Sequence, residues 1–105
     1  MDHLIVRRAA ECLAAQRAVR LCLYEELPYA EAAEAFAHRP LDGWRPSHVV
    51  LQEADMAAKV RAALYYRTQL PVLYGDAVTL GERLRAHAAR HAPPGVPYVE
   101  RRWAP

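Results

Sequence analysis

The sequence predicts an all-α fold: a small four-helix bundle-like domain over residues 1–92, closed by an extended, proline-rich C-terminal tail over residues 93–105. Three observations lead there. Alanine, the strongest helix former, contributes 21 residues to a hydrophobic fraction of 53%, so the bulky apolar supply is thin and suits closely packed helices. Only four glycines are present, few for a turn-rich β-sandwich. Finally, apolar residues recur at spacings of three and four within stretches bounded by prolines. A chain of 105 residues suffices for one domain, and a charged fraction of 25% with this apolar content argues against disorder.

The elements follow in order. Asp2 is a plausible N-cap for a helix over about 3–26, with Leu4, Ile5, Ala9, Cys12, Leu13, Val19, Cys22 and Leu23 at helical spacing. Ile5, Val6, Leu21 and Leu23 make it apolar on more than one side, which suits a central helix or one shared with a partner chain. Pro28 ends it or opens a second helix over 29–38, whose Glu31 and Glu34 face outward near its start. Pro40, Asp42, Gly43 and Pro46 then mark a loop. Ser47 is placed to cap a third helix reaching about residue 69. Pro71 interrupts, leaving residues 70–76 as an apolar connector with room for one short edge strand. Thr79-Leu80-Gly81-Glu82 fits a capping box for a fourth helix over 80–91, which Pro93-Pro94-Gly95 stops. The remaining residues form the tail, carrying Tyr98, Val99 and Trp103.

No apolar run approaches the roughly 18–20 residues a membrane span needs. Met1-Asp2-His3 lacks the basic start of a secretion signal, so no membrane is expected and the expected location is cytoplasmic. Cys12 and Cys22 would lie ~15 Å apart along one helix, beyond the about 7 Å a disulfide allows, and are expected as buried thiols. The net charge is a mild +2, unevenly spread. Glu25, Glu26, Glu31 and Glu34 sit in a stretch without Lys or Arg, whereas residues 77–105 hold five arginines against Glu82 and Glu100.

That distribution favours a non-catalytic interaction protein, an accessory or adaptor subunit, forming a homodimer or joining a larger assembly. Arg83, Arg85, Arg90, Arg101, Arg102 and Trp103 are its expected partner-binding residues, since arginine forks match carboxylates and a tryptophan can anchor in a partner's pocket. Residues 16–36, with Glu25-Glu26-Leu27-Pro28-Tyr29 followed by an acidic, alanine-rich stretch, resemble the front half of the helix-turn-helix region of sigma factors. The resemblance implies a transcriptional regulator in which a helix from Ser47 enters the major groove. Ser47, His48 and Gln52 would then face base edges and Arg45 a phosphate. The loop over 39–46 is longer than the tight turn of that motif. A third reading starts from Arg85 and His91, whose spacing resembles the Arg–His signature of HEPN-type ribonucleases, small helical domains in which the pair acts on a phosphodiester.

His87 and His91 stand four residues apart, on one helix face, and could chelate a metal ion if a third ligand joined them. His3, His38, His48, Cys12 and Cys22 are the candidates by residue type, all remote in sequence. The expectation is instead two exposed imidazoles near a helix C-terminus, with no metal ligand, cofactor or catalytic residue assigned. The chain has one serine, Ser47, and no glycine-rich phosphate loop.

Overall fold

The computed structural model describes residues 2–25, 27 and 43–105, the side chains of residues 2 and 3 excepted. The helix expected over 29–38 and the first part of the loop over 39–46 lie outside the described residues.

The fold is mixed, not the expected all-α bundle: among the described residues four helices accompany a three-stranded antiparallel sheet. In chain order these are α1 (Asp2–Arg17), β1 (Leu23–Tyr24), β2 (Arg45–Leu51), α2 (Glu53–Ala63), α3 (Leu70–Leu73), α4 (Ala77–Arg90) and β3 (Tyr98–Ala104). The sheet order is β1-β3-β2, so the residues expected as an extended tail form its central strand.

The first helix ends at Arg17, nine residues short of its expected end. Ala18 takes a left-handed conformation with φ 53°, and the Val19 N–H donates to the Ala14 carbonyl at 3.4 Å. That is the six-to-one bond of a helix stop that usually employs glycine. Beyond it, Leu23 pairs with Trp103 and Tyr24 with Arg102. Helical spacing is therefore overridden at Leu23 and Tyr24 by strand pairing with residues far along the chain.

The third expected helix divides in the same way. Residues 45–51 pair along β3, from Arg45 opposite Ala104 to Leu51 opposite Tyr98. The β-branched Val49 and Val50 suit this role, and Pro46, which lacks an N–H, is tolerated because β2 is an edge strand. Ser47 is thus a strand residue. The helix starts instead after Gln52, whose N–H donates to the Asp55 carboxylate at 2.8 Å. The connector over 70–76 holds the short helix α3, with Pro71 in its first turn, and no strand. Asp76, not Thr79, caps α4, accepting from the Thr79 N–H at 2.7 Å.

The core lies where α4 crosses β3 and meets α2. Met56, Leu80, Leu84, Ala88 and Val99 are its buried apolar residues. Gly81 is buried with them, and a Cβ there would meet an Arg85 nitrogen at 3.2 Å. Cys12 and Cys22, expected inside, are both exposed. Among the described residues no helix is long and apolar enough to cross a membrane.

Candidate functional site

Strand register builds the site. Extending the β1–β3 pairing by one residue places Glu25 opposite Arg101, and the two-residue strand period puts Arg101 and Trp103 on one face of β3. Both reach the same carboxylate: Arg101 forms an ion pair with Glu25 Oε1, and Trp103 Nε1 donates to that oxygen at 3.3 Å. The Arg101 guanidinium also lies 5.1 Å from the centre of the Trp103 ring.

α4 supplies the other half. Its helical period aligns Leu80, Leu84 and Ala88 toward the core and turns His87 and His91 to one side of that stripe. His87 is buried, and its Nε2 lies 2.9 Å from Glu25 Oε2. His91 is half-buried at the helix C-cap, its ring edge-on to His87 at 5.7 Å between centroids.

The protonation pattern follows from the donor inventory. A carboxylate only accepts, so a hydrogen bond between it and His87 requires the proton on Nε2. His87 Nδ1 is then left buried with no partner, as is Arg101 Nε. Burial opposes the charge on Glu25, yet the His87 hydrogen bond, the Arg101 charge and the Trp103 N–H together hold its carboxyl below the usual carboxylate range. Burial, reinforced by the positive Arg101, pushes the His91 imidazole below its ordinary value despite the opposing pull of Glu25. Glu25, His87, His91 and Arg101 all border a cavity of about 460 Å³ with predominantly apolar walls that include Leu70 and Leu84. The arrangement offers a fixed carboxylate, two adjacent imidazoles and a guanidinium beside an apolar space.

The residues expected to bind a partner are drawn largely into the fold's own contacts. Arg83 donates to the Leu73 carbonyl at 3.2 Å and stacks on Tyr74. Arg85 makes two hydrogen bonds to Glu53, at 2.8 and 3.1 Å, and Tyr98 donates to the same carboxylate at 2.8 Å. Arg101 and Trp103 serve Glu25, while Arg90 and Arg102 are exposed. The candidate nucleic-acid residues Arg45, Ser47 and His48 are exposed on β2, and Gln52 is exposed at the start of α2. No helix begins at Ser47 to carry them. Arg85 faces Glu53, while His91 joins the Glu25 cluster, so their common helix does not bring them to one target.

Of the five metal-ligand candidates beside the histidine pair, His48, Cys12 and Cys22 are exposed away from it. The His3 side chain and His38 lie outside the described residues. The group that joins the pair is Glu25. Sequence reasoning missed it because helical spacing across 18–26 turns Glu25 into one more helix-surface glutamate. The signal that could have found it is the short apolar run Leu21-Cys22-Leu23-Tyr24, whose last two residues pair with Trp103 and Arg102. The chain matches no protein-family model, no curated protein and no solved structure, so function is argued from its own residues.

Proposed function

We propose that this chain is a non-catalytic interaction protein, an accessory subunit that docks on another polypeptide through α1, with exposed arginines steering the encounter. One observation carries the reading. Ile5, Val6 and Leu13 of α1 are 62%, 66% and 54% exposed, while among the described residues the buried core draws on α2, α4 and β3. Ile5, Ala9 and Leu13 recur at four-residue spacing with Val6 beside them, so they form one apolar stripe along the helix.

A stripe of this kind is costly to leave in water, at roughly 25 cal/mol per Å² of apolar surface that a partner could cover. Its flanks favour a different protein over a second copy. Arg8, Arg17 and Arg20 are exposed on or just beyond α1, and Glu11 is tied to Arg7 at 2.8 Å. A two-fold contact would set those like charges against each other, whereas an apolar groove rimmed by carboxylates would match them. Exposed Arg90 and Arg102 extend the same preference to the C-terminal third.

The test is capture from native lysate with and without nuclease, alongside the variants Ile5→Glu and Leu13→Glu. Nuclease-resistant capture of a defined protein, abolished by either substitution while the thermal midpoint holds, supports the reading. Capture that disappears with nuclease would overturn it in favour of a nucleic-acid partner, and capture indifferent to both substitutions would remove α1 from the interface.

A further inference from the structure

We propose that Glu25, His87 and His91 form a binding site for a single divalent transition-metal ion, with Zn²⁺ the ion that suits the donors best. The three side chains come from two elements that the fold fixes against each other. α4 presents both imidazoles at i, i+4, and the β1–β3 register delivers the carboxylate. One ligand atom from each residue lies within 4.8 Å of the others.

The carboxylate is divided in a way that leaves room for a metal. Arg101 and Trp103 both engage Oε1, which fixes the orientation of the group from behind. Oε2 faces only His87 among the described residues. Two imidazoles and one carboxylate, with water in the fourth position, form a recurrent tetrahedral zinc set. All three side chains border the 460 Å³ cavity, so that fourth position has space for a water or a small ligand.

The required adjustments are small. Metal–ligand bonds of about 2.0–2.2 Å place ligand atoms roughly 3.3 Å apart in a tetrahedron. The Glu25–His87 pair, now at 2.9 Å, has to open slightly, and the 4.8 Å span has to contract. His91 supplies most of that movement, because it is half-buried and ends the helix. As the metal takes His87 Nε2, the ring proton moves to Nδ1, so the ligand stays a neutral imidazole and Oε2 turns from the ring to the metal. Arg101 stays positively charged beside the site and opposes a dication. The affinity is accordingly weaker than that of an all-cysteine or three-histidine site.

Isothermal titration of tag-free, chelator-treated protein with Zn²⁺ tests this directly, with Co²⁺ absorption reporting geometry. The expected result is one equivalent bound and a tetrahedral Co²⁺ visible spectrum. His91→Ala should weaken binding roughly tenfold or more while the thermal midpoint of the metal-free protein holds. Glu25→Gln keeps hydrogen-bonding capacity, and it should also weaken binding roughly tenfold. Absence of saturable one-to-one binding would overturn the proposal. So would affinity unaffected by His91→Ala. Loss with His91→Ala but full retention in Glu25→Gln would also overturn it, leaving a two-imidazole chelate in place of the three-ligand site.

Discussion

At the scale of single residues, two positions carry unusual weight. Ala18 holds φ at 53°, where its Cβ crowds the following carbonyl, and a left-handed residue of this kind costs roughly 1–2 kcal/mol unless it is glycine. Ala18→Gly is expected to stabilise the protein by about 1 kcal/mol, read as a rise in thermal midpoint. A fall would mean that the freedom glycine adds to the unfolded chain outweighs the relieved strain. Glu25 carries the opposite kind of weight. Its side chain is only 6% exposed and receives His87, Arg101 and Trp103, so Glu25→Ala orphans a guanidinium that is itself largely buried. The expected cost is about 3 kcal/mol or more in chemical denaturation.

The same carboxylate sets an acid limit. Its folded pKa lies below its unfolded one, so its stabilisation is complete above the unfolded value of about 4.3 and is lost as pH falls through the folded value. Stability measured from pH 7 to 3 in chelator should therefore drop below about pH 4.3, and Glu25→Gln should flatten that part of the profile. An unchanged slope in Glu25→Gln would assign the acid limit to other carboxylates, Glu53 and Asp76 foremost. Hydrogen bonds from Arg85 and from the Thr79 N–H respectively hold those two below their ordinary range.

At the scale of elements, β3 decides the architecture. It is the strand to which both β1 and β2 pair, and it carries Val99 into the core and Arg101 and Trp103 to Glu25. A helical bundle with a dispensable tail would survive deletion of residues 96–105. This sheet would not, because β1 and β2 are separated in it by β3 and do not pair with each other. The chain truncated after Gly95 is expected to lose cooperative unfolding, measured by circular dichroism during thermal melting. Retention of a sharp transition would show that α2 and α4 hold together without the sheet. The helices are better secured at their ends: Asp76 caps α4 and Asp55 closes α2 on the Gln52 N–H.

At the scale of the whole molecule, packing is uneven. Among the described residues five apolar side chains are buried around α2, α4 and β3, whereas α1 contributes none of them and keeps its stripe in solvent. On its other side α1 meets the sheet region: the Arg7 guanidinium lies 5.9 Å from the Trp44 ring, and Glu11, Ala14 and Ala15 line a shallow cavity with Ser47 and Arg102. Hydrogen exchange should accordingly find α1 amides far less protected than those of α4 in the isolated chain. Protection of α1 equal to that of α4 would mean that the helix is held as firmly as the core and needs no partner. The two proposals occupy different regions, the stripe on α1 and the ligand cluster between α4 and the sheet, and each can fail without the other.

The sequence by itself determined what depends on neighbours along the chain. Alanine and the three-and-four spacing mark α1, α2 and α4, Pro93-Pro94-Gly95 ends the last helix, and His87 and His91 necessarily share a face. Local signals also located helix starts only to within a few residues, since Thr79 and Asp76 are both competent caps and the structure uses Asp76. Only the tertiary structure decided the rest. Residues 23–24 and 45–51 have local patterns compatible with helix, and they become strands because β3 offers backbone partners some eighty and fifty residues away. The same long-range register turns Glu25 from a surface glutamate into the carboxylate beside two histidines. Pairing across such distances leaves no periodic trace in one sequence, whereas a helix writes its contacts every third and fourth residue.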